Sequence, residues 1–351
     1  VTRLHQTLAD LVDIPSVTGN EGRLCTAIAE RMMPTWTLEG VSRVGNSLVV
    51  GHPNGRPMIT LYGHIDTVPV QGNAAARIEG DRMYGLGTTD MKAGVAVMIH
   101  LLENQEIIDG PYDVVGVFYD KEEGPSADNG LEEVLDRVPW LTGSQLAVIL
   151  EPTDLRLELG CNGMINADVV FTGRAAHSAR PWMGENAVTK AGAWLDRLHL
   201  MEPESVYVEG LEYREVFSVT QARGGIANNI IPSEFVVNLN YRFPPVYELD
   251  EAERRLRLIA ADADAVTVKD RAAAGAVPVG NEHIERLSVV LGASRAAKQG
   301  WTDVARLSDR GVAAVNYGPG DPSLAHRPDE SVVLANLDIA YDSLARFLTR
   351  R

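Results

Sequence analysis

The sequence predicts an α/β domain that is interrupted by an α+β insert and then completed. Three observations lead there. Short, wholly apolar segments alternate with helical ones in the first half, segments alternating apolar and polar residues fill the middle, and the first style returns towards the end. At 351 residues the chain is long for one ordinary domain. The expected partition is residues 1–162 plus 278–351 for the first domain and 163–277 for the insert.

The elements follow in order. "TRLHQTLADLVDI" has the periodicity of a helix ended near Pro15, and "NEGRLCTAIAERMM" reads as one opened by Asn20 and stopped before Pro34. "NSLVVG", "PMITLYG", "YDVVGVFY" and "SQLAVILE" are apolar runs bounded by turn formers, as buried central strands are. Helical patterns follow in "MKAGVAVMIHLLENQ" and "ADNGLEEVLDRV". This alternation predicts a parallel or mixed sheet covered on both faces. In the middle, "NGMINADVVFTG", "REVFSVTQARGG" and "EFVVNLNYRF" alternate as strands with one covered face do. The helical patterns "GENAVTKAGAWLDRLHL" and "ELDEAERRLRLIAADA" accompany them. "HIERLSVVLGASRAAKQG", "VAAVNYG" and "NLDIAYDSLARFLTR" then resume the first style, and the loops around "AAAGAVPVG" are the expected second crossing.

Composition narrows the function classes. Apolar residues make up 45% and charged ones 23%, a soluble globular balance. The formal net charge is −16 and no run is rich in lysine or arginine. Nucleic acid and anionic membrane surfaces both need basic patches, so neither is expected as a partner. Anionic small molecules stay possible, because local arginines can outweigh the global sign. Two cysteines, Cys25 and Cys161, make no disulfide framework. With an amphipathic start and no membrane-length apolar run, the expected setting is the cytoplasm.

Chemistry-bearing residues recur at the ends of the apolar runs. His64 and Asp66 in "LYGHIDTVP" project to one side of an extended chain, so one can ligate a metal while the other hydrogen-bonds the imidazole. Asp90 lies where the glycine-rich "YGLGTTD" gives way to a helix, a place where Thr89 or Asp90 would equally serve as an ordinary cap. "VVGVFYDKEEG" ends on Glu122 and Glu123, whose side chains point apart on an extended chain and so cannot do one job. Glu151 closes "LAVILE", and His326 sits in a loop stiffened by Pro319, Pro322 and Pro328. Singly, each has a bland reading as a cap or a solvated strand end. Together they gather along one sheet edge, where open α/β sheets place their sites. Two histidines with several carboxylates make a nitrogen/oxygen set suited to zinc, and the surplus of acids points to two ions sharing one carboxylate.

In "GHIDTVP", "GLGTTDMKAG", "YDKEEG", "LEPTD", "GRAAHSARP", "NNIIP" and "GPGDPSLAH" the chain resembles the metallopeptidase M20 family over essentially its whole length. The resemblance implies a zinc-exopeptidase-like catalytic domain with an inserted dimerisation, or lid, domain. It also implies two zinc ions per subunit, one site also admitting cobalt or manganese. His64 and Glu151 would hold one ion, Glu123 and His326 the other, and Asp90 would bridge. Asp66 would orient His64, and Glu122 would be the general base. His177, otherwise a surface-turn histidine, would serve the partner subunit's site in a homodimer. Arg180, Asn229, Arg242 and Thr302 match substrate-contacting positions. Within the family, "FYDKEEGPSADNGL", "AAHSARPWMGENA" and "GWTDVARL" look like the actinobacterial desuccinylase branch, which implies N-succinyl-LL-2,6-diaminopimelate as substrate. One departure stands out: well-studied desuccinylases carry an extra arginine where the insert begins, and "LELGCNGMINA" offers none. Related N-acyl-amino-acid deacylation (acetylornithine-like), carboxypeptidase activity and a non-catalytic metal-binding homologue are the competing expectations.

Overall fold

A computed structural model describes residues 1–350, and these divide into two compact units. The first comprises Val1–Gly160, Pro278–Ala297 and Thr302–Arg351; the second comprises Cys161–Val277 and Lys298–Trp301.

The first unit is built on an eight-stranded mixed sheet. Its strands are β1 (Val41–Val44), β2 (Ser47–Val50), β3 (Met58–His64), β6 (Asp113–Tyr119), β7 (Leu146–Ile149), β8 (Leu157–Leu159), β14 (Arg295–Ala297) and β15 (Ala314–Asn316). Their order is β1-β2-β6-β3-β7-β15-β8-β14. β6, β3, β7 and β15 run parallel to their neighbours in this group, so all four release the chain at the same edge. Every residue of β3 and β6 is buried, which explains why these segments are apolar throughout rather than alternating. A separate three-stranded sheet joins β4 (Arg77–Glu79), β5 (Arg82–Tyr84) and β16 (Ser331–Val333).

Helices α1 (Arg3–Val12), α2 (Gly22–Trp36) and α3 (Lys92–Leu102) belong to this unit. α3 is buried almost all round and packs closely on β3: a Cβ on Gly63 would lie 2.9 Å from Met91 Cε and from Met98 Sδ. α2 does not stop before Pro34 but continues to Trp36. A proline in the last turn forfeits one helical bond, and Trp36 Nε1 anchors that turn by donating to the Leu102 carbonyl at 2.9 Å. Among the described residues no helix is long and apolar enough to cross a membrane.

The second unit is a five-stranded antiparallel sheet in the order β10-β11-β12-β9-β13. The strands are β9 (Gly163–Thr172), β10 (Glu204–Val208), β11 (Leu211–Gly224), β12 (Glu234–Phe243) and β13 (Ala265–Ala272). Along β9 buried and half-buried residues alternate, and Ile165, Ala167, Val169 and Phe171 form a core with Trp194, Ala252 and Leu256 from the covering helices. The pattern expected to give one helix over 184–200 gives two short ones, Ala187–Lys190 and Gly192–His199. Asn186 caps the first by accepting from the Val188 and Thr189 amides, which sets its start.

Candidate metal centre

The parallel strands deliver their acids and imidazoles to one place. His64 is the last residue of β3, Glu122 and Glu123 follow β6, Glu151 follows β7, and the loop after β15 carries His326. Asp90 enters from the turn before α3. His64 Nε2 lies 3.1 Å from Asp90 Oδ1 and 3.8 Å from Glu151 Oε1. His326 Nε2 lies 2.9 Å from Glu123 Oε1 and 3.4 Å from Asp90 Oδ2. The two oxygens of Asp90 therefore face different histidines. Donor atoms of His64, Asp90 and Glu151 fall within 4.8 Å of one another, as do those of Asp90, Glu123 and His326. A third set of the same span joins His64, Glu122 and Glu123.

Asp66 lies beside His64 and has a second task. His64 Nδ1 is 3.1 Å from its backbone carbonyl, whereas the nearer carboxylate oxygen is 3.5 Å away. The fully buried carboxylate also accepts the Glu122 amide on Oδ1 and the Glu123 amide on Oδ2, each at 3.0 Å. The Thr18 hydroxyl adds a third bond at 2.9 Å. With Lys121 in the left-handed region at φ 61°, this clasp fixes the turn that carries the two glutamates.

The charges are strongly coupled. Burial disfavours the His64 imidazolium, but hydrogen bonds to Asp66 and Asp90 more than reverse this and hold its pKa well above the ordinary value. Asp90 and Glu123 push His326 up to about 11. Burial raises the Asp90 carboxyl, yet the two histidines outweigh it and leave it well below the carboxylate range. Burial lifts Glu122 far above that range, His64 opposes, and Glu151 and Glu123 add to the rise. Glu123 is raised by burial and by Asp90. So many acids around two imidazoles are electrostatically costly without cations. Two imidazole nitrogens and three carboxylates, one of them turned both ways, fit a pair of divalent ions.

Several supporting residues went unrecognised in the sequence. Glu330, buried at 1% exposure, accepts the amides of Gly87, Thr89 and Asp90. Its only sequence signal is an acid four residues after His326. Asp303, also buried, accepts from Asn129 Nδ2 on both oxygens and makes an Arg306 ion pair at 2.8 Å, tying down the segment after Glu123. Gly318 lets the His326 loop pass the end of β7, since a Cβ there would meet the Leu150 and Glu151 carbonyl oxygens at 2.4 and 2.5 Å.

The remaining expected residues are not all in this cluster. Thr302 is buried beside Asp303 in the first unit. His177, Arg180, Asn229 and Arg242 belong to the second. There, exposed His177 and Asn229 lie on adjoining segments, joined by the Ser178 amide on the Asn229 carbonyl at 2.9 Å and a bridge between His177 and Ile230. Arg180 is exposed. Arg242 is half-buried and donates to Asn240 Oδ1 at 3.1 Å.

The sequence model of peptidase family M20/M25/M40 matches residues 60–350. The chain is 39% identical over 342 residues to a putative succinyl-diaminopimelate desuccinylase of Mycobacterium tuberculosis, covering 97% of this chain and 96% of that protein. It is 36% identical over 352 residues to the succinyl-diaminopimelate desuccinylase of Corynebacterium glutamicum, covering 97% and 94%. Among solved structures, a tripeptidase from Staphylococcus aureus superposes with a TM-score of 0.79 at 20% identity, covering 99% of this chain and 97% of that one.

Proposed function

The chain belongs to peptidase family M20/M25/M40 and is a hydrolase of amide bonds; from that premise we propose a dizinc amidohydrolase that converts N-succinyl-LL-2,6-diaminopimelate and water to succinate and LL-2,6-diaminopimelate. The observation that carries the substrate is the near full-length similarity to two desuccinylases. The reaction is a step of lysine and diaminopimelate biosynthesis. A cytoplasmic setting agrees with a chain of only two cysteines, both buried and too few for a disulfide framework.

His64 and Glu151 would hold one zinc, Glu123 and His326 the other, and Asp90 would be shared between them. When bound, the ions supply Lewis acidity towards the carbonyl and acidify water. Glu122 takes a proton from the attacking water and returns it to the leaving amine. Burial and its acidic neighbours already press it to hold a proton, which suits the second half of that cycle. Asp66 fixes the main chain of both base and ligand by accepting the Glu122 and Glu123 amides. Arg180, Arg242, Asn229 and Thr302 recognise the three carboxylates and the amine of the substrate.

His177 acts on the partner's site in a homodimer, donating to the developing oxyanion. Support comes from the edge of β11. β10 pairs only with Leu211–Glu215, so Val216–Gly224 is hydrogen-bonded on one side alone, by β12. An open edge of that length is a template for a second copy. An oxyanion donor is worth about 2.7–4 kcal/mol. His177→Ala should therefore be severely impaired, and mixing it with inactive Glu122→Ala should restore activity. No recovery despite proven subunit exchange rules out action in trans.

The substrate is tested by succinate release from zinc-loaded protein, with Glu122→Gln as the comparison. No release, with the variant indistinguishable from wild type, overturns the assignment. The missing arginine in "LELGCNGMINA" favours one second reading, an N-acyl-amino-acid deacylase for a less anionic substrate. Relative kcat/KM across succinylated, acetylated and dipeptide substrates separates the two.

A further inference from the structure

We propose that Glu330 is a positioning residue for the metal centre, clasping the turn that carries Asp90 and locking it to the loop that carries His326. The proposal rests on reading the cluster as a two-ion centre.

The turn before α3 directs three amides inward. Gly85 and Gly87 have φ of 147° and 81°, conformations open to glycine, and the resulting concavity of N–H groups is of the kind that receives an anion. Here the anion is part of the chain. Glu330 Oε2 accepts from Gly87 at 3.0 Å, and Oε1 accepts from Thr89 at 2.9 Å and Asp90 at 3.0 Å. The side-chain hydroxyls close the same turn: Thr88 donates to the Gly85 carbonyl and Thr89 to the Ser331 carbonyl. With its amide held, Asp90 is left to present Oδ1 to His64 and Oδ2 to His326.

Glu330 also fixes the second loop. Its amide donates to the Arg327 carbonyl at 3.1 Å and its own carbonyl accepts from Gly85 at 3.2 Å. His326 itself sits in the left-handed region at φ 61°, with its carbonyl held by Gln71 Nε2. One residue thus ties the shared acid of the centre to the loop of a histidine that faces it. A small rotation of the 87–90 turn would draw Asp90 away from both histidines, so losing the clasp should weaken both ions together. Asp66 does the corresponding work for Glu122 and Glu123, yet neither Asp66 nor Glu330 belongs to the proposed ligand set.

The test is titration of chelator-stripped protein with Zn2+ against a competing chelator dye, for wild type, Glu330→Gln and Arg56→Met. Arg56 forms a buried-acid ion pair with Asp113, the first residue of β6, while the centre gathers after the last. Its loss controls for destabilisation alone. Glu330→Gln keeps the shape but turns an amide donor towards at least one N–H. Affinity for both ions should fall roughly 10–100-fold, with Arg56→Met lowering Tm at unchanged affinity. Equal loss of Tm in both variants with wild-type affinity in Glu330→Gln overturns the proposal. Wild type that takes up no ion overturns the metal reading itself. Should Glu330→Gln not fold, hydrogen exchange of metal-free wild type decides: the amides of Gly87, Thr89 and Asp90 should exchange as slowly as those of β3, and rapid exchange overturns the clasp.

Discussion

Replacing Asp66 with asparagine tests whether the turn that carries Glu122 and Glu123 is held from outside itself. The carboxylate is fully buried and spends one oxygen on each glutamate amide, with the Thr18 hydroxyl on Oδ2. Asparagine has one oxygen and one NH2. Whichever way it is placed, one of the two amides faces a donor. A hydrogen bond to a buried charge contributes about 1.5–3 kcal/mol, and an unsatisfied N–H costs about 1–3 kcal/mol more. Relief from burying the charge offsets part of this, so the net loss should be about 2–4 kcal/mol. For a domain of this size that is roughly 5–15 °C in Tm.

The pH dependence of that loss has a definite sign. Burial raises the Asp66 carboxyl, but His64, the Glu123 amide and Thr18 outweigh it and hold it below its unfolded value. Its contribution is therefore present above about pH 4 and disappears as the pH falls through the folded value. Calorimetry of metal-free wild type and Asp66→Asn at pH 7 and pH 3.5, with Zn2+ affinity at pH 7, is the assay. The difference should be large at the first pH and shrink at the second, with affinity down roughly 10–100-fold. Equal Tm and equal affinity at pH 7 would refute the clasp.

Three further outcomes follow from the same geometry. His64 and His326 are held above their ordinary pKa in the metal-free chain, so loading both sites at pH 7.5 should expel about two protons per chain; calorimetric titration in buffers of different ionisation enthalpy measures this, and a buffer-independent heat contradicts it. Gly318→Ala should cost about 1–3 kcal/mol and weaken metal binding by pushing on the Glu151 main chain, whereas Gly143→Ala, with nothing within 4 Å of its new methyl, should change neither. The Lys92 ammonium donates to the Leu11 and Ile14 carbonyls, and burial pulls its pKa down to about 8. The unfolded chain then binds the proton more tightly, so metal-free wild type should gain roughly 3 kcal/mol over Lys92→Met between pH 8 and 10.5; parallel stability profiles would contradict the burial argument.

What could be read from the sequence, and what could not, divides along a physical line. Apolar runs ending in acids or histidines revealed strand ends. Because β6, β3, β7 and β15 are parallel, strand ends converge, so His64, Glu123, Glu151 and His326 met without any loop geometry being known. Asp90 followed from a glycine-rich turn entering a helix. Clasps leave no such trace. Glu330 binds the Asp90 amide across 240 residues and Asp66 binds Glu122 across 56, through backbone groups whose direction depends on loop dihedrals rather than side-chain type. Two residues apart on an extended chain, His64 and Asp66 are expected to share a side; β3 ends at His64, and Asp66 Oδ1 still lies 3.5 Å from His64 Nδ1. The same limit bears on the two adjacent glutamates. Their opposed directions were expected from an extended strand, but Glu122 and Glu123 lie beyond β6, after a left-handed Lys121. Asp66 fixes their main chain where strand geometry no longer does, and a carboxylate oxygen of each comes within 4.8 Å of the other beside His64. In the proposed mechanism base and ligand thus depend on a third acid for the position of their turn, and that acid is the more sensitive place to perturb the centre.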